Sequence, residues 1–400
     1  MSCSVSSLAV STPTGASLER RGLRVLLVTE AAAAGVGRHV VDLAEGLAER
    51  GCEVTLGYSP GRIDDQFQRR IASLADVRLC PLLMWRAIHP LDAWSAIQLT
   101  RAARQLGPFD IIHGHSSKGG ALARWAGWRL KTPTVYTPHA FITLDPLLAK
   151  HKRFAFGTIE RLLSRLGQTR VIAVCEDEAA HARALGIAAE RIRVVFNGQA
   201  ALPLPTREQA RQRLGIPADW LVLGFIGRLA HQKAPQQMLA AFIAVARQEP
   251  RARLAIVGSG PMEAALRREA DRAGVSDRIL WLGNVDGRSA MPAFDIFCLT
   301  SLYEGMPYVV LEALQAGVPQ VATRVSVTGE VVERSGCGLV VAVNRLEEFT
   351  AALLRVALDA PLRQRFAAAA AAQGNPFSLA AMVDGTLAVY RELVAETIVM

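Results

Sequence analysis

The chain has few cysteines and no long hydrophobic run. Its six cysteines are scattered over 400 residues without a Cys-x-x-Cys pair, so the sequence suggests neither a zinc site nor a disulfide framework. They are typical of small buried side chains in a reducing cytosol. No apolar run approaches the roughly 20 residues of a membrane span. Residues 1–22 are rich in Ser and Thr and lack the apolar stretch of a signal peptide. We therefore expect a cytoplasmic protein with a disordered tail over 1–22.

The composition indicates a compact protein with an uneven charge. Hydrophobic residues make up 51% of the chain and charged residues 20%, which is typical of folded domains. Four hundred residues are enough for two domains, each with its own core. Residues 1–200 contain 25 Lys and Arg against 17 Asp and Glu, a net charge of +8, whereas residues 201–400 contain 20 against 19, a net of +1. A basic first half could bind nucleic acid, an anionic membrane or a pyrophosphate-bearing lipid.

Short apolar runs alternate with helical patterns in two successive series, which predicts βαβ units and parallel sheets. The first series of strands is Leu23–Val28, Glu53–Leu56, Ile111–His113, Thr134–Tyr136, Val171–Val174 and Arg193–Phe196. The second series is Leu221–Ile226, Arg253–Val257, Ile279–Leu282, Ile296–Leu299 and Gln320–Ala322. The Pro-rich segment 201–205 is the natural linker. The sequence therefore predicts two doubly wound domains, 23–200 and 206–376.

The segment Ser301–Pro319 is the most informative part of the chain. It predicts a loop that ends at Glu304, a helix whose first residue is Pro307, and a left-handed stop at Gly317. Gly305 allows a ligand to approach the backbone, and the amides of the first helical turn would then face an anion. Glu312 would lie about 7 Å along the helix from Pro307, at a rise of about 1.5 Å per residue. A phosphate with hydroxyl-bearing sugars on either side would fit; the alternative is an amphipathic helix with two solvated glutamates.

Arg228 and Lys233 follow the buried strand Leu221–Ile226. They would lie at the carboxyl end of a parallel sheet, where open α/β folds bind ligands. A guanidinium fork and an ammonium group suit a diphosphate, although a solvated basic loop is the alternative. The chain contains no Asp-x-Asp motif for a metal-bridged diphosphate. This interpretation needs no metal ion and no other cofactor.

Gly35 and Gly37 follow the first strand and invite a dinucleotide-binding interpretation. The third glycine of Gly-x-Gly-x-x-Gly is replaced by Val40, so the signal is weak. A nicotinamide enzyme would also have an acidic residue at the end of its second strand, whereas Glu53 stands at the start of that strand. These departures disfavour a nicotinamide oxidoreductase.

Five motifs in a fixed order resemble those of retaining glycosyltransferases of family 4, which have the GT-B fold. They are Gly35-Val-Gly-Arg-His39, Thr137-Pro-His139, Gly227-Arg-Leu-Ala-His-Gln-Lys233, Val257-Gly-Ser-Gly-Pro261 and the Glu304-x7-Glu312 pair, whose first glutamate stands in Ser301-Leu-Tyr-Glu-Gly-Met-Pro307. The resemblance covers the chain from about Leu23 to the last helix. It implies an α/β GT-B protein, with two Rossmann-like domains facing a cleft and a C-terminal helix (377–400) returning to the first domain.

The resemblance also implies roles for individual residues. Glu304 would bind the donor sugar next to Gly305 and Met306, and Glu312 would bind the ribose hydroxyls. His139 would support the oxocarbenium-like sugar from the opposite wall.

Arg228 and Lys233 would then stabilise the leaving diphosphate, and Gly37 would approach the donor phosphate or the acceptor. This sequence departs from the family pattern at Ala140, where glycine is usual, and at Val325–Glu330, where Gly-Gly more often precedes the glutamate.

The activity implied is transfer of a sugar from a nucleotide-diphosphate donor to an acceptor hydroxyl, with retention and without a metal ion. A polyprenyl-pyrophosphate-linked or other lipid-linked saccharide in bacterial exopolysaccharide, capsule or lipopolysaccharide synthesis is the expected acceptor. A nucleotide-sugar epimerase or a phosphorylase on the same fold is an alternative. A basic, non-enzymatic nucleic-acid-binding protein is another, but no aromatic-basic recognition motif is visible, so we expect no nucleic-acid partner.

Two further segments of the basic half are candidate contact sites. Lys118 lies in Ile112-His-Gly-His-Ser-Ser-Lys118, where a strand gives way to a helix, and could hold an acceptor phosphate, although a simple helix cap is as good an interpretation. The histidines of this segment lack Cys or Asp partners, which disfavours a metal site. The segment Lys150–Arg170 has six basic residues against one acidic residue and apolar residues mostly at helical spacing. It predicts an interfacial helix that contacts the anionic inner face of the cell membrane, or a core-packed helix with a basic outer face.

Overall fold

The computed structural model describes residues 22–32, 34–85, 89–201, 203–374 and 376–399. The tail expected over residues 1–22 lies, apart from Gly22, outside the described residues. Two parallel sheets occupy the two halves of the chain, one of seven strands and one of six.

The first domain is built around the seven-stranded sheet, whose strand order is β3-β2-β1-β4-β5-β6-β7. Its strands are β1 (Arg24–Thr29), β2 (Glu53–Tyr58), β3 (Val77–Pro81), β4 (Ile111–His115), β5 (Thr134–Thr137), β6 (Thr169–Ala173) and β7 (Ile192–Val194). Its helices are α1 (Ala34–Glu49), α2 (Asp65–Ala72), α3 (Asp92–Leu106), α4 (Ser116–Leu130), α5 (Lys150–Leu163) and α6 (Glu176–Ala184).

The second domain is built around the six-stranded sheet, whose order is β10-β9-β8-β11-β12-β13. Its strands are β8 (Leu221–Ile226), β9 (Ala252–Val257), β10 (Ile279–Gly283), β11 (Ile296–Leu299), β12 (Gln320–Thr323) and β13 (Gly338–Val341). Its helices are α7 (Arg207–Leu214), α8 (Pro235–Gln248), α9 (Glu263–Arg272), α10 (Gly287–Ala290), α11 (Tyr308–Gln315), α12 (Thr328–Arg334), α13 (Leu346–Leu358) and α14 (Ala360–Gln373).

The central strands are buried on both faces, as parallel sheets require. In β1, Val25 and Leu27 face one side and pack with α1, whereas Leu26 and Val28 face the other side and pack with α3 and α4. Every residue of β8 is buried in the same way. These strands read as continuous apolar runs for this reason, and their bounds could be predicted to within one or two residues.

The last helix, α15 (Leu379–Val399), returns to the first domain. Its apolar face, including Val383 and Leu387, joins the core that α1 and β1 form. Gly46 of α1 allows this close packing, because a Cβ there would lie 2.6 Å from a methyl group of Val383. The chain therefore crosses between the domains twice, once after β7 and once before α15.

The prediction of two Rossmann-like α/β domains is confirmed, with two strands added. The sequence interpretation missed β3 and β13, which lie at sheet edges. In β3, Val77 is buried but Arg78 and Leu79 are exposed, so this strand lacks the apolar run of a central strand. The helix predicted from Pro307 begins one residue later, at Tyr308, and Gly317 adopts the predicted left-handed conformation, with φ 67°.

Candidate active site

A cavity of about 490 Å³ lies between the carboxyl ends of the two sheets. The first domain contributes Gly35, Arg38 and His139 to its wall, and the second contributes a longer list: Arg228, Lys233, Glu304, Gly305, Met306, Tyr308 and Glu312, with others. The volume is in the range of small-molecule sites. Seven of the nine site residues predicted from the sequence meet in this cavity.

Glu304 and Lys233 form a buried ion pair at the second-domain side of the cavity. The Lys233 Nζ atom lies 2.7 Å from Glu304 Oε1, and the two side chains are 17% and 10% exposed. Gln232 Nε2 donates to the Tyr303 carbonyl at 3.1 Å and approaches the other Glu304 oxygen at 3.4 Å. The loop carboxylate therefore points to the end of β8 rather than into solvent.

Glu312 is also buried and pairs with a cation from the other domain. The Arg38 guanidinium binds Glu312 Oε1 and lies over the Tyr308 ring, 4.8 Å from its centroid. Asp42 lies 3.6 Å from the same guanidinium. The interpretation of Glu304 and Glu312 as solvated helix residues is therefore wrong, because both carboxylates are buried in ion pairs.

Cationic groups and a helix N-terminus line the cavity where the second sheet meets α11. Arg228, just after β8, lines the cavity, and so do Tyr308 and Val309 at the start of α11. The positive end of a helix dipole favours an anion. The site thus combines a guanidinium, an ammonium and a helix N-terminus, which suits a diphosphate.

His139 and Ala140 lie in an unusual backbone conformation opposite Glu304. Their φ angles are 57° and 99°, in the region that non-glycine residues rarely adopt. Gly305 packs directly against them, because a Cβ there would lie 2.9 Å from the His139 carbonyl carbon. The glycine predicted to admit a ligand therefore also admits the loop of the facing domain.

Glu178, in the first turn of α6, holds that loop from behind. Its Oε1 accepts a hydrogen bond from the Ala140 amide at 2.7 Å, and its Oε2 accepts one from the Val174 amide at 2.8 Å. Burial raises the pKa of the Glu178 carboxyl from 4.5 to about 7, although the two amide bonds act in the opposite direction.

Four histidines cluster on the first-domain side of the cavity, and His139 is the one that lines it. His115 Nδ1 lies 3.1 Å from His139 Nε2, His39 Nδ1 lies 3.0 Å from the Tyr308 hydroxyl, and His113 bonds to Tyr390 and Thr137. Burial lowers the pKa of all four imidazoles, so these rings are neutral at physiological pH.

Three of these rings form a candidate metal-ligand group. One nitrogen each from His39, His115 and His139 lie within 4.8 Å of one another. The sequence interpretation considered only Cys and Asp as partners for His115, and so it missed this group of imidazoles.

Contacts around Met306 and Ser326 join the domains further along the cleft. Asn197 Nδ2 donates to the Met306 carbonyl at 2.9 Å. The Cys175 Sγ and Ser326 Oγ atoms are 2.7 Å apart, and Ser326 also donates to the Gly305 carbonyl. The loop that departs from the family pattern thus braces Gly305 against the first domain.

Two predicted site residues lie outside the cavity wall. Gly37 is the fourth residue of α1, and a Cβ there would lie 2.9 Å from the Ala32 carbonyl carbon. Gly37 therefore packs closely against the backbone of its own domain, whereas Gly35 lines the cavity. Lys118 forms an ion pair of 2.7 Å with Asp92 at the start of α3, so its ammonium group ties α4 to α3.

Sequence reasoning missed three contributors: Arg38, His39 and Glu178. Arg38 and His39 stand beside the glycine motif, but nothing local shows that they reach across the cleft. Glu178 looks like a solvated acid, because it follows Glu176 and Asp177 at a helix start. Its side chain is buried because the segments that follow β5 and β6 present the amides of Ala140 and Val174 to it.

Comparison with known families matches both halves of the chain. Residues 34–198 match the family described as "Glycosyl transferase 4-like domain", and residues 206–373 match "Glycosyl transferases group 1". The boundary between the two matches falls at the linker.

Individual relatives are similar over most of the chain. A D-inositol 3-phosphate glycosyltransferase of Saccharomonospora viridis is 31% identical over 75% of this chain and 74% of its own length. A UDP-Gal:alpha-D-GlcNAc-diphosphoundecaprenol alpha-1,3-galactosyltransferase of Escherichia coli is 28% identical over 63% and 67%. The crystal structure of Anabaena HepE with UDP and glucose superimposes with a TM-score of 0.77 at 20% identity, over 92% of this chain and 99% of HepE.

We expect Glu178 to make stability fall with rising pH. Its pKa is higher in the folded protein, about 7, than the ordinary 4.5, so the folded state binds the proton more tightly. Its contribution is therefore complete below pH 4.5 and is lost as the pH rises through 7, by about 3 kcal/mol at 1.36 kcal/mol per pKa unit.

Urea unfolding at pH 5 and pH 8 measures this loss in the parent, in Glu178→Gln and in the control Glu176→Gln, whose carboxylate is exposed in the same helical turn. Glu178→Gln should flatten the pH dependence, and the control should keep it. An unchanged dependence in Glu178→Gln would contradict the assignment.

Proposed function

The chain belongs to glycosyltransferase family 4, with the GT-B fold, and on that premise we propose that it is a retaining, metal-independent hexosyltransferase. It takes a sugar from a nucleotide-diphosphate donor held by the second domain and transfers it to an acceptor hydroxyl held by the first. The observation that carries this proposal is the meeting of Glu304, Glu312, Arg228 and Lys233 with His139 in one cleft.

The leaving diphosphate would bind between Arg228, Lys233 and the first turn of α11. These groups are fixed before the donor arrives, so charge that develops on the phosphate meets dipoles and cations already in place. The donor sugar would lie beside Glu304, and the ribose beside Glu312. Lys233 would then be shared between Glu304 and the phosphate.

The transfer would take place on one face of the sugar. The bond from the anomeric carbon to the phosphate oxygen breaks, the bond to the acceptor oxygen forms on the same face, and the acceptor proton passes to the departing phosphate. Because the His139 ring is neutral, it can lie against a sugar that develops positive charge without repelling it.

A lipid-linked saccharide is the acceptor we propose, in the synthesis of a bacterial surface polysaccharide. The diphosphoundecaprenol substrate in the name of the Escherichia coli relative supports this chemistry, as does the basic surplus of the first domain. Lys118 would serve an acceptor phosphate only by leaving or sharing its pair with Asp92.

The exposed apolar side chains of the first domain support the proposal that this domain contacts a membrane. Of thirteen described large hydrophobic residues that are exposed, eleven lie in this domain. Most are on α3, α4 and α5 or just before them, and α4 contacts both of the other helices. This layer presents Trp94, Trp125, Trp128 and Phe154 to solvent, and tryptophan is enriched at membrane interfaces.

Basic side chains lie within the same layer. Lys150, Lys152, Arg161 and Arg165 are exposed on or just after α5, next to the exposed Phe154, Ile159 and Leu162. No helix in the described ranges is long and apolar enough to span a bilayer. We therefore propose reversible contact of this layer with the anionic inner face of the cell membrane.

A nucleotide-sugar epimerase or a phosphorylase could use the same donor site. Product analysis separates the three activities, because an epimerase releases an isomerised sugar and a phosphorylase releases or consumes a sugar phosphate. Formation of a new glycosidic bond with the donor's anomeric configuration supports the proposal, and inversion overturns it.

Glu304→Gln and Glu312→Gln should have different effects. Glu304→Gln should lower turnover about 100-fold, the effect typical of losing one fixed electrostatic group, and should change nucleotide affinity little. Glu312→Gln should weaken nucleotide binding at least tenfold, because a charged hydrogen bond contributes about 1.5–3 kcal/mol. Titration calorimetry with UDP and steady-state rates with UDP-glucose measure both effects.

Glu330→Gln is the matched control, because Glu330 is exposed and pairs with Arg334 one helical turn further on. It should behave like the parent. Equal, small effects of Glu304→Gln and Glu312→Gln would remove both residues from the donor site.

Transfer should continue in the presence of a chelator. Arg228, Lys233 and the α11 N-terminus supply the positive charge that a divalent cation would supply elsewhere. Activity in excess EDTA should equal that in buffer alone. A loss that magnesium or manganese restores would contradict the proposed diphosphate site.

The protein should pellet with anionic vesicles more strongly than with neutral ones. Replacement of Lys150, Lys152, Arg161 and Arg165 by glutamine should remove that preference, since each basic residue near an anionic surface contributes about 1 kcal/mol. Vesicle sedimentation at low and high salt measures the binding.

The control carries the same charge change on the second domain: Arg213, Arg268, Arg272 and Arg355, all exposed, replaced by glutamine. It should pellet like the parent. Equal losses in the two variants would show that net charge matters and not this surface.

A further inference from the structure

We propose that Glu178 is a positioning residue that holds His139 in the conformation needed at the donor sugar. The proposal rests on the transferase function given above. It goes beyond that function, because Glu178 does not line the donor cavity and acts on His139 through the backbone amide of Ala140, the residue that follows His139.

The conformation of the loop needs an external constraint. His139 and Ala140 both have positive φ angles, 57° and 99°. Such backbone states cost of order 1–3 kcal/mol each and persist only where the surroundings fix them. A glycine at position 140 would adopt this conformation without strain; alanine does not, so the hydrogen bond to its amide matters more.

Glu178 supplies that constraint with both carboxylate oxygens. One accepts from the Ala140 amide and the other from the Val174 amide, so a single side chain joins the segments that follow β5 and β6. Two converging N–H donors require two acceptors on one side chain. Glutamine has one acceptor and one NH₂ donor, and the latter would face an N–H group.

The restraint reaches the sugar site through His139. Its carbonyl carbon and the Ala140 amide lie against Gly305, next to Glu304, and its ring bonds to His115. If the Ala140 amide is released, the pair of residues is free to return to an ordinary backbone conformation. The ring would then leave the cavity wall opposite Glu304.

Histidine spectra test the restraint without any assumption about activity. The chain has eight histidines, so its imidazole ¹⁵N resonances can be assigned by substitution. In Glu178→Gln the resonances of His139 and His115 should shift. Those of His89, whose ring stacks on Trp85 and not on this cluster, should stay, and Glu176→Gln should leave the resonances of all three unchanged.

Kinetics with UDP-glucose test the consequence for the reaction. Glu178→Gln should lower the rate of glucose release or transfer at least tenfold and leave the dissociation constant of UDP within twofold. Combining it with His139→Ala should cause no loss beyond that of the slower single variant, because both act through one group. Glu178→Asp, which keeps two acceptor oxygens, should retain more activity than Glu178→Gln.

Three results would overturn the proposal: unmoved His139 resonances in folded Glu178→Gln, losses that multiply in the double variant, or UDP affinity that falls as far as turnover. If the parent turns over no nucleotide sugar, the proposed function fails. The histidine spectra would still decide whether Glu178 positions the loop. Should Glu178→Gln fail to fold, the spectra and rates of Glu178→Asp decide instead, with intermediate shifts expected.

Discussion

Burial of two carboxylates in the cleft is the constraint on which the site depends. An ionised group taken out of water must be paired, because the desolvation cost is several kcal/mol per ion. Glu304 forms an ion pair with Lys233 of its own domain, and Glu312 forms one with Arg38 of the facing domain. Each of the two carboxylates therefore has a cationic partner within the protein. A bound donor would replace or share the partner of each paired group. The same side chains could therefore keep their positions before and after the reaction.

The fold could be predicted because its central strands are buried on both faces. β8 and β11 have the predicted bounds, since Leu221–Ile226 and Ile296–Leu299 are continuous apolar runs with clear ends. β3 and β13 were not predicted, although the edge strands β7 and β10 were: β3 has the exposed Arg78 and Leu79 where a buried apolar run would stand, and β13 has only four residues, three of them partly exposed. Their formation depends on the neighbouring strand more than on their own residues.

The site could be predicted where function and local structure share one segment. Ser301–Pro319 contains the loop, the helix and both carboxylates, so one continuous segment of sequence was enough to predict a ligand site there. Arg38, His39 and Glu178 act across elements, and their partners are 274, 269 and 38 residues away in sequence. Gly37 lies outside the cavity wall for a related reason: a glycine motif shows that some backbone comes close, but not which backbone.

The two crossings between the domains lie side by side. Gln199 and Ser378 pair as a single parallel bridge, the Gln199 amide donates to the Phe377 carbonyl at 3.0 Å, and the Leu379 amide donates back to the Gln199 carbonyl at 3.1 Å. Because these bonds hold the two segments together, any rotation between the domains would have to turn about this one point. Such a rotation would separate Arg38 from Glu312 and leave Lys233 on Glu304, because only the first of these pairs joins the two domains. The distance between the Arg38 guanidinium and the Glu312 carboxylate would therefore report how far the two domains have separated.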